Sequence, residues 1–195
     1  MRKQWVGLVL GVAALIIGAS AQASLITYDL RGHGGNLGNS EWFSSDGVSM
    51  RAVAVREYGS SWYRSADLYQ TRRGLGVRSG GSDSSQIDGY GRDEGIVFAF
   101  NRSMTLTDAW FGSLGSSDDW NLSVYDGGSW HDVLDDERRL NGDFSGSAFQ
   151  FWADHHDDDF YISGLRFHAA VPEPGTLLLM GLGLAAVGLS RRASK

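Results

Sequence analysis

The pattern of apolar and polar positions between residues 25 and 168 predicts short β-strands. Val48, Met50 and Ala52 alternate with Ser49 and Arg51, which is the period of two expected of a strand with one buried face. Similar stretches recur about every ten residues, separated by Gly-, Ser- and Asp-rich turns. The predicted strands are Leu25–Leu30, Val48–Glu57, Trp62–Gln70, Gly74–Val77, Gly95–Asn101, Thr105–Gly112, Asn121–Asp126, Ser129–Leu134, Ser147–Ala153 and Phe160–His168.

Regularly spaced short strands favour an all-β fold, and specifically an antiparallel β-sandwich or jelly roll. Asp126-Gly127-Gly128 lies between two of these strands and predicts a tight hairpin. The segment Asp132–Leu140 offers a helical alternative to part of the second hairpin strand. No fixed-period repeat or internal linker divides the segment, so we expect one β-sandwich domain over residues 24–170.

The N-terminus has the three parts of a secretory signal peptide. Met1-Arg2-Lys3 is a charged start, Val6 to Ala19 is apolar, and small residues at Ala21 and Ala23 form a cleavage site before Ser24. We therefore predict that signal peptidase removes residues 1–23. The alternative is an uncleaved N-terminal membrane anchor.

The C-terminus contains a second apolar stretch, Thr176 to Leu189, which carries no charge. It is shorter than the ~17–25 residues that usually span a bilayer, and so predicts a short transmembrane helix. Arg191, Arg192 and Lys195 follow it, which places the C-terminus in the cytoplasm and the body outside. A simple membrane anchor or a buried core helix are the alternatives.

Pro172, Glu173 and Pro174 precede this apolar stretch, and the chain has no other prolines. Together with the apolar stretch and the Arg191-Arg192 pair, they resemble the PEP-CTERM sorting signal of Gram-negative bacteria, here over residues 171–195. The resemblance implies that the Pro-Glu-Pro segment is recognised by an exosortase, a membrane-embedded transpeptidase. It also implies a transient stay in the inner membrane, followed by cleavage and transfer of the body to the cell surface or its release.

Composition excludes several classes of function. The chain has 17 basic and 23 acidic residues, and five of the basic ones lie in the two predicted signals, so the body is more acidic than the whole chain and has no lysine. This argues against nucleic acid or anionic lipid as a partner, because both need a positive face. The absence of cysteine excludes thiol catalysis and thiolate zinc sites.

Acidic residues at strand ends favour calcium, which takes oxygen ligands. The first candidates are Asp88, Asp93 and Glu94. They lie in a segment from Gly74 to Phe100 that resembles a segment of other PEP-CTERM surface proteins, and this resemblance implies no activity. Asp157 and Asp159 belong to a second acidic run, Asp154–Asp159, and Asp118-Asp119 form a third. The alternative is that these acids cap turns and face water. The adjacent His155 and His156 suggest a transition metal, although neighbouring strand residues point to opposite faces.

Tryptophans that reach the surface could stack on sugar rings. We expect Trp110 and Trp152, which lie in apolar strands, to be buried, and Trp62 and Trp120, which have polar neighbours, to be exposed. Trp62 and Trp120 are therefore the candidate glycan contacts.

No catalytic motif is visible, since the chain lacks Gly-x-Ser-x-Gly, His-Glu-x-x-His and a phosphate-binding glycine loop. We expect an exported, non-enzymatic protein of the cell surface, extracellular matrix or biofilm, with a structural or adhesive body. A calcium-assisted carbohydrate-binding module for exopolysaccharide is one alternative, and a secreted hydrolase is the other.

Overall fold

The computed structural model describes residues 24–63 and 66–169, and every regular element within these ranges is a β-strand. The predicted signal peptide and sorting signal lie outside them. The strands are β1 Leu25–Asp29, β2 Gly35–Gly38, β3 Ser40–Ser45, β4 Val48–Tyr58, β5 Ser61–Tyr63, β6 Asp67–Thr71, β7 Gly74–Arg78, β8 Ile87–Asp88, β9 Glu94–Gly112, β10 Trp120–Asp126, β11 Ser129–Glu137, β12 Phe144–Trp152 and β13 Asp159–Ala169. Over this part of the chain no helix is long and apolar enough to cross a membrane.

All the strand pairs are antiparallel, and hydrogen bonds connect the strands into one thirteen-stranded sheet. Its longest path runs β11-β10-β12-β9-β13-β7-β6-β2, while β1 and β8 pair with β13, β4 pairs with β9, and β3 and β5 pair with β4. The predicted all-β antiparallel class is confirmed. The sandwich or jelly-roll topology stays a prediction, because the strand pairing alone describes a single connected sheet.

The core follows from the alternation of side chains along the strands. In β1, Ile26 and Tyr28 are buried while their neighbours are exposed. β4 alternates in this way only at its start, and it buries every residue from Ala52 to Val55. Aromatic rings fill the centre, and burial of each contributes about 1.5–3 kcal/mol. The largest fully buried side chains include Phe98, Phe149, Phe151, Phe160 and Phe167.

Several predicted strand boundaries are wrong because strand partners change along the chain. The predicted strand Trp62–Gln70 is two strands, since β5 pairs with β4 and β6 pairs with β2 and β7. Conversely, the predicted strands Gly95–Asn101 and Thr105–Gly112 are parts of one 19-residue strand, β9. The first part of β9 pairs with β4 and the second part pairs with β13.

The helical alternative at Asp132–Leu140 is also wrong, because this segment begins inside β11. The predicted hairpin is confirmed. Asp126 pairs with Ser129, and Gly127 and Gly128 between them adopt φ values of 60° and 95°, which favour glycine.

Candidate acidic binding sites

The structure separates the predicted calcium ligands into two places. The first is a pocket of about 580 Å³ beside the β8–β13 pair, where Asp88 lies directly opposite Asp159. We call it the Asp88 pocket. Asp157 and Tyr90 also line it, so the structure brings together acids that are about 70 residues apart in sequence. Its other lining residues are Arg56, Ser79, Gly80, Ser82, Asp83, Ser84, Gly91, His156 and Asp158.

Asp88 is held by the loop that precedes it. Its side chain is only 6% exposed, and its two carboxylate oxygens accept hydrogen bonds from the Ser84 hydroxyl (2.8 Å) and the Tyr90 backbone N–H (3.1 Å). Burial raises the pKa of Asp88, and these two bonds act against that rise. Both oxygens of Asp88 thus accept hydrogen bonds from the surrounding loop, and these bonds stabilise the loop.

Glu94 begins β9 and is 1% exposed. The Ser79 hydroxyl donates to Oε1, whereas Oε2 is buried and has no hydrogen-bond partner within the described ranges. Burial raises the pKa of Glu94 to about 9, and the charges of Asp83 and Asp88 add to this rise. Glu94 is therefore a protonated, neutral acid at pH 7.

Asp93 belongs to a different environment from Glu94, as expected for adjacent residues at the start of a strand. Burial raises the pKa of Asp93 to about 6, with contributions from Glu57 and Asp154. Asp93 does not line the Asp88 pocket, so the predicted set of Asp88, Asp93 and Glu94 does not meet at one point.

The second acidic group, which we call the Asp119 cluster, contains Asp119, Asp154, His155 and Asp158. One potential ligand atom from each lies within 4.8 Å of the others. Asp119 directly precedes β10, and the other three lie in the loop between β12 and β13. An adjoining group with the same spacing consists of Asp135, Asp136 and Asp154.

Hydrogen bonds fix the geometry of the Asp119 cluster. Asp158, 1% exposed, accepts bonds from the backbone N–H groups of Asp119 (3.0 Å) and His155 (3.1 Å). Asp154 Oδ1 accepts a bond from the Asn121 side-chain amide (2.9 Å) and lies 3.3 Å from His155 Nδ1. The acidic loop is thus tied to the start of β10.

The charges of the Asp119 cluster are poorly compensated. Burial, followed by the charge of Asp158, raises the pKa of Asp119 to about 6, and Asp119 Oδ1 is buried without a partner within the described ranges. The charge of Asp154 raises the pKa of His155. The three carboxylates at this spacing offer the oxygen ligands that a hard divalent cation such as Ca²⁺ takes, whereas the His155 imidazole is a ligand for zinc and not for calcium.

Sequence reasoning identified Asp119 and the Asp154–Asp159 run separately, and it missed Asp135 and Asp136. The signal for their association was weak, because it required the β10–β11 hairpin and the β12–β13 loop to meet. His156 lies outside the Asp119 cluster and is 3.8 Å from Asp157, so the two adjacent histidines do not share one site.

The tryptophan predictions were partly wrong. Trp120 is fully buried and stacks on Phe111, with ring centroids 4.8 Å apart, so it is not available to a surface glycan. Trp110, expected in the core, is 39% exposed. Trp62 and Trp152 are both half-buried and contact each other edge-on, with centroids 5.6 Å apart. The polarity of sequence neighbours therefore did not predict which tryptophans are exposed.

The comparisons with known proteins assign the C-terminus. The family described as the PEP-CTERM protein-sorting motif matches residues 170–192. No curated protein and no solved structure matches the chain. The motif implies an exported protein that is anchored by its C-terminus until an exosortase processes it.

Proposed function

We propose that this chain, which carries a PEP-CTERM sorting motif, is a non-enzymatic structural or adhesive protein of the cell surface or extracellular matrix. In this proposal signal peptidase removes residues 1–23 as the body crosses the inner membrane, and the C-terminal segment stays in that membrane. An exosortase then cleaves near Pro172-Glu173-Pro174 and transfers the body to the surface or releases it.

The observation that carries the proposal is the position of the motif next to β13. That strand ends at Ala169, and the motif begins at residue 170. β13 pairs with β1, β7, β8 and β9, so a load applied to the C-terminus is shared by four neighbouring strands. In antiparallel pairs the hydrogen bonds are perpendicular to the strands and resist such a load together in shear. This suits a body attached through its C-terminal end.

Cell fractionation tests the sorting step. In the producing bacterium, the parent protein should reach the surface or medium without its Lys195-containing peptide, as judged by mass spectrometry. A Pro172→Ala, Glu173→Ala double variant should stay in the inner membrane with Lys195 intact. Glu137→Ala, which removes an acid from β11 instead, should be processed like the parent. Surface delivery of the double variant without Lys195 would contradict the proposal.

A second candidate function is calcium-assisted binding of exopolysaccharide. It is favoured by Tyr90, which is 75% exposed and lines the Asp88 pocket beside Asp157 and Asp159. An exposed ring beside carboxylates offers both a stacking surface and groups that bind sugar hydroxyls directly or through a cation. Glycan-array binding that requires calcium and is lost with Tyr90→Ala, but not with Tyr63→Ala, would support this function. Trp62→Ala on the same array would test Trp62 as a glycan contact.

A secreted hydrolase is a third candidate, and its support is weaker. Glycosidases use two carboxyl groups that both reach the substrate. Glu94 has a strongly raised pKa, but it is buried and therefore does not reach a substrate. Turnover of any polysaccharide by the purified protein would favour this function over the first two.

A further inference from the structure

A shallow depression on the outer side of β1, β13 and β9 has features that neither acidic site shares. Asp29, Gly164 and Trp110 lie side by side across the three strands, because Asp29 pairs with Gly164 and Gly164 pairs with Trp110. The neighbouring row contains Thr27, Arg166 and Asp108. The depression has a volume of about 470 Å³.

Gly164 forms the floor of the depression. A Cβ atom at this position would lie 2.9 Å from the Tyr28 carbonyl oxygen and 3.1 Å from Cε3 of Trp110. The indole edge therefore rests against the sheet where a side chain is missing. Any larger residue would displace the ring or fill the space beside it.

Trp110 forms one wall and is supported from behind. The Arg166 guanidinium lies 4.7 Å from the centroid of the indole and is held by Asp108, 3.1 Å away. Arg166 does not line the depression, whereas Trp110 does. The Arg166 cation thus lies over the indole, and Trp110 contributes part of its surface to the depression.

The opposite wall is an ion pair between Asp29 and Arg31. Arg31 Nε and Nη2 donate to Asp29 Oδ1 (2.9 Å) and Oδ2 (3.0 Å), so the pair is bidentate and oriented. Both side chains are about 60% exposed, which leaves donors and acceptors free for a ligand. The Arg31 hydrogen bond lowers the pKa of Asp29, so both groups stay charged near neutral pH.

We propose that this depression, which we call the Trp110 depression, binds a neutral, flat-ringed oligosaccharide of the β-linked glucose type. Such a sugar presents C–H groups on both ring faces, which suits the exposed part of the Trp110 indole, and equatorial hydroxyls at its edge, which suit a carboxylate beside a guanidinium. The charges around the depression occur in two opposite pairs, so nothing there favours an acidic glycan.

Oligosaccharide binding by the Trp110 depression would give the proposed surface protein a ligand. It rests on the proposed function only because the body must be outside the cell to meet polysaccharide. It uses neither of the acidic sites and therefore requires no calcium. It also assigns glycan contact to Trp110, a residue that the sequence pattern places in the core.

Isothermal titration of the full chain in mild detergent with cellohexaose, in the presence of chelator, tests the proposal. The parent chain should bind, and Trp110→Ala should weaken binding about tenfold or more, as expected for loss of a central aromatic contact. Arg31→Ala, which removes an exposed side chain and leaves the core intact, should weaken binding several-fold. Trp130→Ala, which removes a similarly exposed indole from β11, should bind like the parent.

Two results would overturn the proposal. One is the absence of cellohexaose binding by the folded parent chain. The other is binding that neither Trp110→Ala nor Arg31→Ala weakens. Both leave the sorting function intact, because that function is judged by loss of the Lys195-containing peptide in cells. Failure of sorting with normal cellohexaose binding would instead contradict the surface function alone.

Discussion

The backbone N–H of Asp119 donates a 3.0 Å hydrogen bond to Oδ1 of Asp158, which is 39 residues away in sequence. This bond joins the start of β10 to the loop before β13. Asp158 Oδ2 accepts a second bond, from the His155 N–H. One buried carboxylate thus satisfies two backbone donors and positions the whole Asp119 cluster.

Replacement of Asp158 by Ala should destabilise the fold. Two backbone N–H groups would lose their acceptor in a site that is 1% exposed, and we expect the free energy of unfolding to fall by about 2–4 kcal/mol. Urea unfolding measures this loss. Asp157→Ala, at the exposed neighbouring position, should change stability by less than ~0.5 kcal/mol. Equal effects of the two variants would show that the Asp158 hydrogen bonds contribute nothing.

Calcium should raise the thermal unfolding midpoint of the body. The Asp119 cluster gathers three carboxylates, and a cation that binds only the folded state at 100 times its dissociation constant adds ~2.7 kcal/mol. For a domain of this size, that corresponds to a shift of several degrees. Differential scanning calorimetry with millimolar calcium or excess chelator measures the shift.

Asp119→Asn and Asp154→Asn should each abolish most of the calcium effect, because each removes one anionic ligand. Asp126→Asn, which changes an exposed hairpin carboxylate, is the matched control and should respond to calcium like the parent. A shift that survives in both cluster variants but disappears in Asp88→Asn would place the ion in the Asp88 pocket. No shift in the parent would mean that the acids form a solvated surface.

Glu94 should make the protein less stable as pH rises. Its pKa is about 9 in the folded state, against an ordinary value of 4.5. Between these values the folded state holds a proton that the unfolded state has lost. Glu94 therefore does not reduce the free energy of unfolding below about pH 4.5, and it reduces it increasingly as the pH rises towards 9.

Glu94→Gln should remove this pH dependence, because the amide is neutral at every pH. At pH 8, in chelator, we expect the variant to be more stable than the parent by about 1–3 kcal/mol, because the parent must take up a proton on folding at this pH and the amide does not. Urea unfolding from pH 5 to pH 9 measures both slopes. Glu137→Gln, at a half-buried position, should keep the slope of the parent. Parallel slopes for Glu94→Gln and the parent would show that Glu94 is not the group responsible.

The sequence was sufficient to predict the strand class, because alternation such as Val48–Ala52 and the Gly127-Gly128 turn are local signals. The sequence was insufficient to predict strands that form only because a neighbouring strand pairs with them. β2, β3 and β8 carry weak local patterns and form because a neighbouring strand is present.

The same limit applies to the candidate sites. The acidic character of the loops was visible, but the assembly of Asp119 with Asp154 and Asp158 depends on strand order. The position of Trp110 depends on Gly164, a residue of another strand, because the missing side chain leaves room for the edge of the indole. Such relationships across strands are long-range and have no local signature.

Gly76 lies in β7 at a point where the loop around Ser85 passes close to the strand. A Cβ atom there would overlap the carbonyl oxygen of Ser85, a backbone atom that cannot move without shifting the loop around Asp88. Gly76→Ala should therefore lower the free energy of unfolding by about 1–3 kcal/mol, the usual cost of overpacking. Gly80→Ala, where a Cβ atom meets nothing within 4 Å, is the matched control and should be neutral or slightly stabilising. If urea unfolding finds the two variants equal, the close approach of Ser85 to β7 does not exist in solution, and the position of the Asp88 pocket would need revision.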